Sequence, residues 1–219
     1  MKPDFEKAAT IAAETLIKYG ISSAPVSPLP ILKKLPGVLV LSYEKVSNSI
    51  GSSRDCVLSA FGEQNQDACT SVNIVDGQKQ YLVTYNQYLP AFLAQHALAR
   101  ELGHILLGHD GTRPEQVRNE EAICFANHLL SPRALIKTIQ AAGIRLTVDV
   151  FGSLTGCYEN CLYCMRQIPA THVAPELNRI IRANFMPYIM NFFNYQRVAM
   201  HSDVSSLADF GSFMEGYAD

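Results

Sequence analysis

HALARELGHILLGH (His96–His109) and, after a short gap, NEEAICFANHLLSP (Asn119–Pro132) are the two stretches whose reading decides the fold. Leu93, His96, Ala97, Arg100, His104 and Leu107 recur at helical spacing after Pro90, which predicts one helix ending at Gly108. That helix puts Glu101 and His104 three residues apart, followed by an apolar Ile-Leu-Leu run that anchors it to a core. Residues Gly108 to Pro114 read as loop. Glu120 to Leu130 read as a second helix, stopped at Ser131-Pro132.

Outward from these helices the chain alternates in type. Phe5, Ala8, Ala9, Ile11, Ala12, Leu16 and Tyr19 predict an N-terminal helix ended by Gly20. A Pro-rich turn, Pro25 to Pro30, leads into a short helix at Ile31 to Leu35. Val38 to Tyr43 reads as a strand, and weaker strand candidates follow at Cys56 to Phe61 and Cys69 to Val75. Asp76-Gly77 then joins the last of these to Tyr81–Tyr85 as a hairpin. Beyond the second motif helix come a helix at Arg133 to Ala142 ended by Gly143, and a helix–turn–helix pattern at Val148 to Ile168. A long helix at Glu176 to Tyr195, kinked or split at Pro187, precedes a weakly structured stretch, Ser202 to Asp219. The order predicts an α+β fold: a small antiparallel sheet packed against the motif helix, with additional C-terminal helices. Residues 1–145 form the main domain in this reading, and 146–219 a helical extension packed on it.

Composition bounds the function. The 219 residues are 48% hydrophobic and 17% charged, with 18 Lys plus Arg against 20 Asp plus Glu, a formal charge of −2. Such a chain buries a sizeable core and lacks the signature of disorder. Its charge balance argues against direct nucleic-acid binding as a main role. Within the helix–turn–helix pattern the second helix carries Arg166 against Glu159, too little for phosphate contact. Charged residues from Asp4 to Lys18 break any signal-peptide core, and the late apolar stretch from Phe185 to Tyr195 is interrupted by Pro187, Asn191 and Asn194. No membrane partner and a cytoplasmic location are therefore expected. The six cysteines read as intracellular thiols. Cys56, Cys69 and Cys124 are expected to fill core, and the Cys157, Cys161, Cys164 cluster reads as one helix face, with a metal or redox pair as the alternatives.

The chemistry lies in the motif helix. A zinc peptidase needs two histidines four apart on one helix face, with a glutamate beside the first to take a proton from metal-bound water. Here Glu101 and His104 stand in those places, but Arg100 occupies the place of the first histidine: RELGH, not HELGH. With the Tyr81–Pro90 approach to this helix and the E-A-x-x-F-A-x-x-L-L-x-P pattern from Glu121 to Pro132, the chain resembles the ImmA/IrrE family of zinc-dependent metallopeptidases. The resemblance runs over about residues 5 to 168. It implies Glu101 as the general base, His104 as a histidine ligand and Glu121 as the carboxylate ligand. It also implies a repressor-type, helix-turn-helix regulator as partner, in the setting of mobile elements and transcription regulation.

The arginine alters that expectation. A guanidinium stays protonated and has no lone pair to offer a metal. Arg100 either pairs with Glu121, with Glu101 also near, replacing a metal bridge by a charge bridge, or runs out to solvent. Substitute ligands are sought among His96, His109 and His128. His96 sits eight residues before His104, about 12 Å along the axis, so the two cannot share an ion on an unbroken helix. The leading expectation is a degenerate metallopeptidase that binds a regulatory protein or peptide without efficient cleavage. The alternative is an active zinc endopeptidase using His104, Glu121 and one substitute histidine, zinc being the only cofactor in view.

Overall fold

The computed structural model describes residues 2–61, 67–141, 145–155 and 161–201. Helix α1 (Phe5–Lys18) opens with Asp4 as its N-cap, the carboxylate accepting from the Lys7 amide at 2.9 Å, and Gly20 (φ +63°) follows its end. Then come α2 (Pro28–Lys34), β1 (Val38–Ser42), α3 (Tyr43–Ile50) and α4 (Arg54–Phe61). Strands β2 (Ala68–Val75) and β3 (Gln78–Tyr85) form the hairpin. Its turn holds Asp76 at φ +51° and Gly77 at φ +75°, the pair of left-handed residues that a tight two-residue connection needs. The rest is helical: α5 (Ala91–Leu106), α6 (Glu115–Leu130), α7 (Arg133–Ala141), α8 (Val148–Thr155), α9 (Cys161–Ala170) and α10 (Pro175–His201). The fold is α+β, and no helix among the described residues is long and apolar enough to cross a membrane.

The sheet corrects one expectation. Its order is β1-β3-β2, with β2 and β3 antiparallel but β1 running parallel to β3, Val38 opposite Tyr81 and Ser42 opposite Tyr85. The sheet is mixed rather than antiparallel. A five-residue apolar run states that a strand exists but not its direction, which depends on the path taken through α3 and α4. The second correction is Cys56 to Phe61, which is helix α4 and not strand. The Ser53 hydroxyl accepts from the Cys56 amide at 3.3 Å, and Val57 is the buried contact, so a capped single-sided helix wins over an unpatterned strand.

Two helix boundaries also shift. α6 starts at Glu115, directly after Pro114, whose carbonyl accepts from the Arg118 amide at 3.1 Å. α10 continues through Pro187 as one helix, because Ile181, Phe185, Ile189 and Phe192 keep one buried stripe across the proline. The turn of the expected helix–turn–helix pattern, Cys157 and the stretch from Ser202 to Asp219 lie outside the described residues. Of the cysteines expected in the core, Cys124 is fully buried, Cys69 half-buried and Cys56 exposed, while Cys164 is buried on α9.

One apolar cluster runs through both halves of the chain. The alanine face of α1 (Ala8, Ala9, Ala12, Ala13) lies against α6, and Phe151, Leu154, Ile168, Ile181 and Phe185 join the same cluster from the C-terminal helices. The Tyr188 hydroxyl donates to the Leu154 carbonyl at 3.1 Å, tying α10 to α8. The motif helix α5 packs on the sheet on one side and on α6 on the other. Its contact with α6 is close at Gly103, where a Cβ would stand 2.9 Å from Phe125 Cδ1 and 3.2 Å from Phe125 Cβ. Phe125 is fully buried and cannot step aside. Gly103→Ala should therefore cost about 1–3 kcal/mol of overpacking, read as a lower urea midpoint. An unchanged midpoint would show that the two helices part freely.

Candidate functional site

The site lies where α5 ends and α6 begins. Glu101 is buried on α5, with Arg100 beside it. The Arg100 side chain, 25% exposed, folds back on its neighbour: Nε and Nη2 donate to Glu101 Oε1 at 3.4 and 3.3 Å. Burial pushes the Glu101 carboxyl above its ordinary range, and the Arg100 charge opposes that rise. The expected Arg100–Glu121 bridge is not formed. Residues 100 and 121 sit on different helices, and the guanidinium finds its carboxylate next door.

Glu121 is claimed by another arginine, one that the sequence spacing did not single out. Arg113, in the loop between α5 and α6, grips it with both prongs: Nη1 to Oε2 at 2.7 Å and Nη2 to Oε1 at 2.8 Å. The Asp4 amide, at the entry to α1, donates to Oε1 at 2.7 Å, and His109 Nε2 lies 3.0 Å from Oε2. Burial alone would raise this carboxyl. The amide, the fork and the ring together hold it below the usual carboxylate range, so it is ionised.

His109 reaches this position through backbone chemistry. Gly108 adopts φ +69°, its amide bonds the Ile105 carbonyl at 3.1 Å, and the His109 amide bonds the His104 carbonyl at 3.0 Å. This is a Schellman turn, and it folds residue 109 back over residue 104. The two imidazoles meet with Nδ1 atoms 2.9 Å apart and ring centroids 5.0 Å apart. An ionised Glu121 can only accept, so His109 Nε2 carries a proton. A neutral His109 then accepts at Nδ1, and His104 must donate from its own Nδ1. Burial, then His109 and Arg100, lower the His104 pKa to about 3, which keeps it neutral. Burial likewise lowers His109 despite Glu121.

The other histidines named from the sequence stand apart. His96 Nε2 lies 3.3 Å from Asn127 Oδ1, further back along α5. His128 is buried on α6 towards α1 and α10, near Ala9, Ala13 and Val173, with Nε2 lacking a hydrogen-bond partner among the described residues. Of the three substitutes only His109 joins His104 and Glu121. Nothing in its spacing required this, although the Gly108 turn was the available signal.

These residues do not fit a zinc ion as they are disposed. A carboxylate offers about four lone-pair directions, and Glu121 spends four contacts on Asp4, His109 and the two prongs of Arg113. The Nδ1 atoms of His104 and His109 face one another, and Arg100 has no lone pair. Among the described residues no group of three or more His, Cys, Asp or Glu side chains is placed to hold a metal. His104 Nε2 forms no hydrogen bond among the described residues, its Nδ1 being the atom that meets His109.

Beside this network lies a groove of about 520 Å³. Thr70, Val72 and Ile74 of β2 form one wall and Tyr81 of β3 continues it; Ile105 and Arg118 lie opposite. Val72 and Ile74 are 50% and 68% exposed, and β2 is an edge strand with its outer side unpaired within the sheet.

Two consequences are measurable. Arg113→Ala leaves a buried carboxylate without its fork and should lower unfolding free energy by about 2 kcal/mol, at the low end because Arg113 is partly exposed. A wild-type urea midpoint in that variant would disprove it. His104 titrates near 3 when folded and near 6.5 when unfolded, so below about 6.5 the unfolded chain takes up the proton first. Stability should then fall as pH drops from 7 to 5, with a shallower fall in His104→Asn. The Glu121 contribution, present above the ordinary carboxylate pKa, is lost only at lower pH.

Comparison with protein-family models, with curated proteins and with solved structures returned no match for this chain.

Proposed function

We propose that this chain is a metallopeptidase-like protein of the ImmA/IrrE type that holds a regulatory protein or peptide without efficient cleavage. The observation that carries the reading is the bonding of Glu121. The carboxylate that the resemblance assigns to a metal is filled by Arg113, Asp4 and His109. Arg100 then engages Glu101, so the residue in the general-base place is tied up as an ion pair. Both changes remove hydrolytic machinery while leaving the helix pair and the groove in place.

The groove supports the binding half of the proposal. An extended segment can add to the outer edge of β2 beyond Thr70, whose backbone bonds Glu101, with side chains over Val72 and Ile74. A helix-turn-helix repressor is the partner that the resemblance implies, and transcription regulation in the cytoplasm is the setting it carries. The competing reading is an active zinc endopeptidase with His104, His109 and Glu121 as ligands. The short distances among these three favour it, but it requires Arg113 to release Glu121.

Zinc titration of protein purified without added metal tests the choice, with wild type beside Arg100→His and Arg100→His/Arg113→Ala. Wild type and the single variant should take up no stoichiometric zinc, because Glu121 stays filled, whereas the double variant should gain a site. Stoichiometric zinc in the wild type, with casein cleavage that Glu101→Gln abolishes, would replace the binding reading by the endopeptidase.

A further inference from the structure

Helices α7 and α10 pack along each other, and the groove between them carries a charge pattern unrelated to the α5–α6 site. Arg133 and Lys137 stand four apart on α7, and Arg179 and Arg182 three apart on α10, so each pair shares one helix face. With His172 from the connecting segment they line a cavity of about 760 Å³. No Asp or Glu is among its lining residues. Arg133 is spent on structure, donating Nη1 to the Thr171 carbonyl. Lys137, Arg179 and Arg182 are exposed and form no ion pair among the described residues. Four of the 18 Lys and Arg of a chain with net charge −2 thus line this cavity, with no acidic side chain among the described residues of its lining. Cations gathered along one concavity raise the local positive potential and attract anions to it.

The shape and the lining select the kind of anion. The groove is concave, whereas a nucleic-acid duplex is met by elements that enter its own grooves. Single strands are held by aromatic side chains on which bases stack, and no Phe, Tyr or Trp lines this cavity. Its apolar lining is small, Ala134, Ala141, Val173 and Pro175, of which Ala134 and Val173 are buried. Three of the four permanent cations are arginines, whose forks match carboxylates in pairs. We propose that the α7–α10 groove binds an acidic linear segment of a partner protein. Its carboxylates meet Arg179, Arg182 and Lys137, and its apolar side chains rest over the small apolar lining. The site is separate from the β2 groove and does not depend on what that groove does.

The test uses the full chain and a short fluorescein-labelled peptide of Glu-Glu-Ala repeats, read by anisotropy. Wild type should bind it, with affinity falling steeply as salt is raised. Arg179→Glu/Arg182→Glu should weaken binding by about tenfold or more, and Arg179→Lys/Arg182→Lys by less, since the charge stays and only the fork is lost. Arg100→Ala, in the other site, should leave it unchanged. If the double charge reversal fails to fold, Lys137→Glu on α7 is read in its place. Equal binding by wild type and the charge-reversed proteins overturns the proposal, as does absence of peptide binding by the wild type. Tighter, variant-sensitive binding of oligothymidylate or of phosphatidylserine vesicles overturns it too, in favour of a phosphate site.

Discussion

The carboxylate of Glu121 is the point on which the arrangement turns. It is buried at the centre of four contacts that come from three parts of the chain: the entry to α1, the turn after α5 and the loop before α6. A buried ion of this kind is tolerated only when every lone pair is used, because desolvation is costly and an incomplete shell leaves that cost standing. The bidentate arginine supplies the opposite charge, and the amide and the imidazole complete the shell. The loop from Gly108 to Pro114 is thereby drawn down onto the helix pair.

The rest of the site follows from two close approaches. Gly103 lets α5 settle against Phe125, which sets Glu101 and His104 at a fixed depth beside α6. The Schellman turn at Gly108 then returns His109 over His104, so that the histidines and Glu121 form one directed chain of hydrogen bonds. Proton directions along it are dictated by the ionised end. The same bonding that satisfies the chain uses up the donors that a metal would need, so the electrostatics and the functional proposal rest on one set of contacts.

Much of this was legible in the residues. The helix that carries Arg100, Glu101 and His104, the second helix with Glu121 and the Asp76-Gly77 hairpin all obey local rules of period and turn chemistry. Arg113 was not legible, since a loop arginine eight residues from a glutamate has no pattern that marks it. The Arg100 expectation erred for a related reason. Charge pairing was expected across helices, but a long side chain reached its own neighbour at 3.3 Å. Local pattern likewise pointed to a strand where α4 stands, since a short apolar run suits strand and helix alike until a cap decides.

The sequence by itself determined the long helices α1, α5, α6 and α10, the turns at Gly20, Asp76-Gly77 and Gly108, and the presence of a permanently charged guanidinium at Arg100 beside Glu101. These are consequences of side-chain period, of glycine's freedom at positive φ and of an always-protonated group. Only the tertiary structure decided that β1 runs parallel to β3, that His109 rather than His96 or His128 joins the site, and that Glu121 is filled by Arg113. The physical reason is distance along the chain. The Asp4–Glu121 bond joins residues 117 apart, and such a contact exists only once the whole core has brought its ends together.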